Sequence, residues 1–245
     1  MNYRFCQQLA NACSDRADLR LAAKDSTEFI VMVRETGRVY IVDDDAEICR
    51  SISLVCGSVG YTTKAYSTAE EYLAEESDEE PHCLIVDLLL PGMTGMKLCR
   101  EIRASNPSCG FIVITGNGDV PSAVEAMRLG AVDYLEKPFG RQRLLDSIHE
   151  VLQLVQMQHV QRQRHLEAVS RLARLTVREK EVFRKVAAGQ PTKAIAASCG
   201  ISTRTVDVHR SRILQKLGIE SSMQLADFIA ALDRTPGGRA GWLST

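Results

Sequence analysis

Residues 83–95 read Cys83-Leu84-Ile85-Val86-Asp87-Leu88-Leu89-Leu90-Pro91-Gly92-Met93-Thr94-Gly95. The short apolar run Cys83 to Val86 is a strand candidate, and an aspartate stands directly after it. Working outward, four similar runs surround it: Val39 to Val42, Tyr61 to Tyr66, Phe111 to Thr115 and Val132 to Leu135. Stretches of helical periodicity alternate with them, at about 46–58, 68–76, 95–104, 120–129 and 141–157. Such alternation is the signature of a parallel sheet covered by helices.

Five βα units predict an α/β domain over residues 37–152, a doubly wound sheet of flavodoxin-like size. Ligands of such sheets bind beyond the carboxyl ends of the strands, so the residues just after each strand matter most. Asp43, Asp44 and Asp45 follow the first strand and Asp87 follows the third, and they are expected to share a pocket. Carboxylates a few ångströms apart repel one another by kilocalories at reduced dielectric, so the cluster must take up protons or hold a hard cation. Mg²⁺ suits it, because magnesium prefers oxygen ligands and keeps several of its waters. Thr115 ends the fourth strand and Lys137 follows the fifth. A carboxylate beside a divalent cation, a hydroxyl and an ammonium is built to receive a phosphoryl group. Singly, each residue is ordinary: an Asp after a strand commonly caps a helix, and a Lys before Pro is a solvated loop charge. Their joint occurrence at successive strand ends is specific.

At 245 residues and 45% hydrophobic content the chain is long enough for two domains. Aromatics at 5% leave little material for a base-stacking, single-strand-binding surface. The net charge of -1 hides an asymmetry: residues 37–150 carry 10 basic and 19 acidic side chains, and residues 151–245 carry 15 and 7. An acidic half followed by a basic half suggests a cation site and then a polyanion partner. No apolar run approaches the ~18 residues of a membrane span, and the start lacks a basic region followed by an apolar one. A cytoplasmic protein with no membrane partner is expected. The eight cysteines show no CxxC or metal-ligand spacing and are expected to be reduced core residues. Residues 1–36 have no place in the βα pattern; they are either a short helical extension or an untranslated leader, with Met32 as the alternative start.

Residues 153–171 are rich in Gln, Arg and His and read as a polar helical linker. Residues 172–234 then carry four helical stretches, at about 177–188, 192–198, 203–217 and 221–232. Thr176 with Glu179 forms a capping-box pattern, Gly189 and Pro191 close the first helix, Gly200 makes a turn, and Ser202 or Thr203 caps the third helix. This is helix-turn-helix punctuation. With Val206, Ile213 and Leu217 inward, Arg204, Thr205, Asp207, Val208, Ser211, Arg212 and Gln215 lie outward on a face that fits a DNA major groove. A basic amphipathic helix of any small bundle has the same spacing, so both readings stay open on pattern alone. Residues 235–245, with only Trp242 and Leu243 to bury, are expected to be a frayed tail.

The wording of the chain adds to this. Val42-Asp43-Asp44-Asp45, Ile85 to Gly95, Thr115-Gly116 and Lys137-Pro138-Phe139 resemble the receiver domain of two-component response regulators, and the run from Gly118 to Phe139 resembles its FixJ-like branch. The resemblance implies that Asp87 is the phospho-acceptor, and that Asp44 and the Leu89 carbonyl are direct magnesium ligands with Asp43 acting mainly through water. It also implies that Thr115 and Lys137 contact phosphoryl oxygens and that Tyr134 is the switch aromatic. Leu175-Thr176, Arg178-Glu179, Lys193, Ile195-Ala196, Arg204-Thr205-Val206, Val208-His209 and Lys216-Leu217 resemble the LuxR/NarL-type DNA-binding domain. That likeness implies phosphate contacts by Lys193, Arg204, Thr205 and Arg212, and base contacts by Asp207, Val208 and Ser211. Some relatives carry lysines at base-reading positions, so their target sequences do not transfer to this chain.

Together the resemblances imply a phosphorylation-gated transcription regulator and not an enzyme. A sensor histidine kinase, double-stranded promoter DNA and a second copy of the chain would be its partners, and RNA polymerase is a further candidate. Two other readings fit the residues at this point: an aspartyl-phosphate hydrolase, and a DNA binder that is never phosphorylated.

Overall fold

The computed structural model describes residues 37–75 and 80–233. The leader with Met32, Cys6 and Cys13, and the tail with Trp242 and Leu243, lie outside the described residues. In chain order the elements are β1 (Arg38–Val42), α1 (Ala46–Gly57), β2 (Thr62–Tyr66), α2 (Ala69–Glu75), β3 (His82–Asp87), α3 (Gly95–Ser105), β4 (Cys109–Thr115), α4 (Val120–Leu129), β5 (Asp133–Glu136) and α5 (Arg141–Ala173). Four helices follow: α6 (Val177–Ala187), α7 (Thr192–Cys199), α8 (Thr203–Leu217) and α9 (Ser222–Leu232).

The strands form one parallel sheet in the order β2-β1-β3-β4-β5. Its faces follow from the period-two alternation of strand side chains. Val39, Ile41, Cys83, Ile85, Ile112 and Ile114 pack on one side against α1 and the first half of α5. Val42, Leu84, Val86, Phe111 and Val113 pack on the other, against α2, α3 and α4. All six residues of β3 are buried, as befits the central strand of a two-sided sheet. Each fully buried aliphatic side chain contributes about 1.5–3 kcal/mol relative to exposure.

Strand order reverses between β1 and β3, which opens a crevice above their carboxyl ends. Val42 is in register with Val86, so the next residues along, Asp43 and Asp87, stand side by side. Asp87 is the last residue of β3 rather than the first after it, and β5 runs one residue later than the apolar pattern predicts. Backbone hydrogen bonds explain both shifts, because they continue past the apolar runs: Leu88 N donates to Ile114 O at 3.0 Å and Lys137 N to Thr115 O at 2.7 Å.

Helix α5 is 33 residues long, well past the expected end near 157. Neither Gly nor Pro interrupts residues 141–173, and the helix stops just before Thr176 caps the next one. Its first half packs on the sheet through Leu144, Ile148, Val151 and Val155. Its second half, the stretch expected to be a polar helical linker, is helical and places Ala168 in the C-terminal core. There His165 Nδ1 lies 2.8 Å from Ala231 O, and Arg171 Nη1 donates to Leu217 O at 3.3 Å. That core also contains Leu175, Val182, Phe183, Ile195, Val206, Ile213, Leu217 and Phe228, with Phe183 and Phe228 edge to face at 6.0 Å.

Four cysteines (Cys49, Cys56, Cys83 and Cys99) are buried, and Cys109 and Cys199 are half-buried; all six are free. Burial raises the Cys56 thiol to about 11 and the Cys99 thiol to about 12. Among the described residues no helix is long and apolar enough to cross a membrane.

The seat of α5 on the sheet depends on a missing side chain. A Cβ on Gly110 would lie 2.7 Å from Val151 Cγ1 and 2.8 Å from Val155 Cγ1. Gly110→Ala is therefore expected to lower stability by about 1–3 kcal/mol, the usual cost of overpacking. Urea denaturation checks this, and an unchanged midpoint would refute the close packing.

Candidate functional site

The crevice gathers the residues that the strand-end rule singles out. Asp43 and Asp87 are both buried, at 2% and 6% relative exposure, and Lys137 reaches between them. Its Nζ lies 2.7 Å from Asp43 Oδ2 and 2.6 Å from Asp87 Oδ2. The other Asp87 oxygen, Oδ1, accepts from Leu89 N at 3.1 Å. Asp43 Oδ1 accepts from Asp45 N at 2.9 Å. Burial raises the Asp43 carboxyl above its ordinary value, outweighing the lowering by Lys137 and by the Asp45 amide. Burial works to lower the Lys137 ammonium, but its hydrogen bonds to Asp43 and Asp87 prevail and leave it raised.

The aspartates after β1 divide their work. Asp44 is exposed, and with Asp43 and Asp87 it brings three carboxylate oxygens, one from each residue, within 4.8 Å of one another. Asp45 turns away and does not join the expected pocket. It caps α1, accepting from Glu47 N at 2.8 Å and from Ile48 N at 3.4 Å. A clustered all-oxygen donor set with an exposed member fits a hard, partly hydrated divalent cation such as magnesium.

Thr115 is buried at the end of β4, where its Oγ1 accepts from Asn117 N at 3.2 Å. Tyr134 stands in register with Val113. Its hydroxyl is buried beside Thr115 and the Asp119 backbone but makes no hydrogen bond of ordinary geometry. Burial raises this phenol.

The sequence reading missed the restraint on the loop that leaves Asp87. Glu70 Oε1 on α2 accepts from Met93 N at 2.9 Å, next to Gly92 in the left-handed region at φ +78°. Gly95 opens α3 so close to β3 that a Cβ there would lie 2.1 Å from Asp87 O. Only the glycine at 95 hints at this in sequence, because Glu70 and Met93 belong to separate elements.

In the C-terminal half the capping box of Thr176 and Glu179 is formed. Glu179 is buried, accepts from Thr176 N at 2.8 Å and also from Lys216 Nζ at 2.7 Å, which ties α6 to α8. The Lys216 hydrogen bond, followed by that of Thr176, holds its carboxyl down to about 2. Arg178 joins α6 to α7 by pairing with Glu181 and donating to the Cys199 carbonyl. Ser202, not Thr203, caps α8, accepting from Thr205 N at 3.1 Å. Lys193, Arg204, Thr205, Asp207, Val208, Ser211 and Arg212 are all exposed, the first on α7 and the rest on α8. Among the described residues Lys193, Arg204 and Arg212 have no carboxylate partner, which leaves three guanidinium or ammonium groups available to an anion. His209 is half-buried, with Nδ1 sealed from solvent and without a hydrogen-bond partner among the described residues.

Comparison with known proteins agrees with this geometry. Residues 39–149 match the model of the response regulator receiver domain, and residues 173–229 match that of the luxR family of bacterial regulatory proteins. The transcriptional regulatory protein FixJ of Rhizobium meliloti (strain 1021) is 37% identical over 75% of this chain and 90% of its own length. The chain belongs to the LuxR-type response regulators. This response regulator also resembles TodT of Pseudomonas putida, at 33% identity over 76% of the chain and 82% of the relative. Among solved structures, response regulator StyR has a TM-score of 0.70 at 33% identity, covering 82% of this chain and all of that one. Full-length FixJ from B. japonicum has a TM-score of 0.50 at 32% identity, covering 80% and 97%. The protein is therefore a phosphorylation-controlled, DNA-binding transcription regulator and not an enzyme, which sets the hydrolase reading aside.

The buried Glu179 gives the DNA-binding half of this response regulator a pH signature. Its folded-state value of about 2 lies below the ordinary 4.5. Its contribution is thus present above pH ~4.5 and fades as pH falls toward 2. Glu179→Gln keeps the capping-box acceptor but loses the charge. It should cost about 1–2 kcal/mol near neutral pH, the low end for a charged hydrogen bond because Lys216 is partly exposed. Urea titrations of both proteins should show that difference shrinking below pH ~4.5; a pH-independent gap would argue against the pair.

Proposed function

We propose that Asp87 accepts a phosphoryl group from a sensor histidine kinase, and that the modified protein pairs with a second copy and binds promoter DNA. The observation that carries this reading is the Lys137 ammonium held within 2.7 Å of both Asp43 and Asp87 at the switch point of the sheet. Asp43, Asp44, Asp87 and the Leu89 carbonyl would hold magnesium, which when bound screens charge between an incoming phosphate and the carboxylates. An Asp87 carboxylate oxygen attacks phosphorus, the donor's N–P bond breaks, and the imidazole leaves neutral, keeping the proton already held on its other ring nitrogen. Lys137 stays as the counter-charge to the new phosphoryl oxygens. An open groove of about 590 Å³ beside Lys137, lined by Ile48, Val55, Phe139 and Leu144, supports the approach of a protein donor.

Thr115 and Tyr134 carry the signal outward. The Thr115 hydroxyl exchanges its Asn117 contact for a phosphoryl oxygen, and the Tyr134 hydroxyl, buried beside it with no hydrogen bond of ordinary geometry among the described residues, responds to that move. Tyr134 packs beside α4, whose Val120, Val124 and Met127 form an exposed apolar row at helical spacing that suits a second copy. Two linked DNA-binding modules then gain from effective concentration on paired half-sites. Lys193, Arg204, Thr205 and Arg212 would hold backbone phosphates, and Asp207, Val208 and Ser211 would face base edges. This scheme places the protein in the cytoplasm, with RNA polymerase as a further partner.

Incubation with acetyl phosphate and Mg²⁺ should add one hydroxylamine-labile phosphoryl group to the wild type and none to Asp87→Asn. Phosphodonor should then tighten promoter binding by roughly tenfold or more in the wild type alone, as expected for bivalent engagement. Equal binding throughout would overturn the gating. Magnesium at ten times its Kd should stabilise the wild type by about 1.4 kcal/mol, and a melting experiment should show that gain lost in Asp44→Asn.

A further inference from the structure

Helix α8 carries Arg204, Arg210, Arg212 and Lys216, and a single acid, Asp207. Two of these basic groups are engaged elsewhere, and among the described residues neither Arg204 nor Arg212 forms an ion pair with the acid. Lys216 pairs with Glu179, and Arg210 donates to Thr192 Oγ1 at 3.3 Å. Asp207 is exposed and makes no hydrogen bond or ion pair among the described residues.

The fold gains nothing from this carboxylate. Ser202 is the cap and Thr203 the first helical residue, so Asp207 is the fifth, beyond the turn where an acid interacts favourably with the helix dipole. Aspartate is also among the weaker helix formers. Against DNA, a bare carboxylate beside Arg204, Val208 and Ser211 repels phosphates and lowers affinity for duplex in general. One surface in the major groove reverses that cost. Cytosine presents only the N4 amino donor there. Guanine presents N7 and O6, thymine presents O4, and adenine sets its N7 acceptor next to its N6 donor.

We infer that Asp207 is a specificity-determining residue that makes each operator half-site require a cytosine, by accepting from cytosine N4 and repelling the acceptor-bearing bases. This rests on the reading of α8 as the base-facing helix. Discrimination comes mainly from rejection of wrong bases, because an unpaired carboxylate against an acceptor edge is penalised at every other sequence.

The test is in vitro selection from a random duplex library with the full-length protein treated with acetyl phosphate and Mg²⁺, using the wild type, Asp207→Ala and Asp207→Asn. The wild type should enrich sites with an invariant cytosine at one position of each half-site. Asp207→Ala should lose that preference while binding unselected duplex more tightly. Asp207→Asn should shift the same position toward adenine, which an amide contacts through N6 and N7. On the selected site, replacing that cytosine should weaken the wild type about tenfold, the usual scale of one mismatched pair, and weaken Asp207→Ala less than about twofold. The same cytosine preference in Asp207→Ala and wild type would overturn the assignment while leaving DNA binding by α8 intact. Failure of the wild type to enrich any sequence would overturn the base-facing reading of α8 and the assignment with it.

Discussion

Two carboxylates, Asp43 and Asp87, are buried at the ends of adjacent parallel strands with one ammonium, Lys137, bonded to both. Charged groups are not taken out of water without compensation, and one cation for two nearby anions leaves the site short of positive charge. The architecture around it serves to hold this imbalance. The parallel pairing of β1 with β3 sets the two aspartates abreast, and the bond from Lys137 N to Thr115 O fixes where the lysine leaves β5. Glu70 and Gly95 keep the β3–α3 loop close, so that Leu89 N remains on Asp87. A pocket poised in this way responds strongly to a divalent cation or a phosphoryl group, because either one changes the local charge balance at low dielectric.

The proposed response follows residues that lie next to one another. Thr115 ends β4 at the pocket, and Tyr134, paired to β4 through Val113, has a buried hydroxyl that lies beside Thr115 but makes no hydrogen bond of ordinary geometry among the described residues. A group in that condition is a reservoir of unmet hydrogen bonding, so a small movement of its neighbour alters its preferred position. Helix α5 adds a second connection, since a single uninterrupted helix contributes Val151 and Val155 to the core under the sheet and Ala168 to the core of the DNA-binding half. The DNA-binding half is in turn braced by Glu179, which joins the start of α6 to Lys216 on α8.

The chain's two charge domains act in opposite senses. In the acidic half, carboxylates converge and call for a cation. In the basic half, Lys193, Arg204 and Arg212, without a carboxylate partner among the described residues, leave positive charge exposed, and Asp207 interrupts it. On the proposed reading, general attraction to a polyanion and selectivity among sequences fall to different side chains of α7 and α8.

Much of this is legible in the sequence. Strand runs, helix caps and glycine turns are local patterns, and the rule that parallel sheets bind ligands at strand ends is enough to nominate Asp43, Asp87, Thr115 and Lys137. The four-helix punctuation of the C-terminal half likewise follows from Thr176, Gly189, Gly200 and Ser202. Local pattern does not reveal which of three consecutive aspartates turns inward. That depends on where the strand ladder ends and the helix begins: it buries Asp43, exposes Asp44 and makes Asp45 a cap. Nor does it reveal the grip of Glu70 on Met93, the bridge from Glu179 to Lys216, or the packing of the helical linker into the C-terminal core through Ala168. Those are contacts between residues far apart in sequence, and only the packing of whole elements against one another brings them within bonding distance.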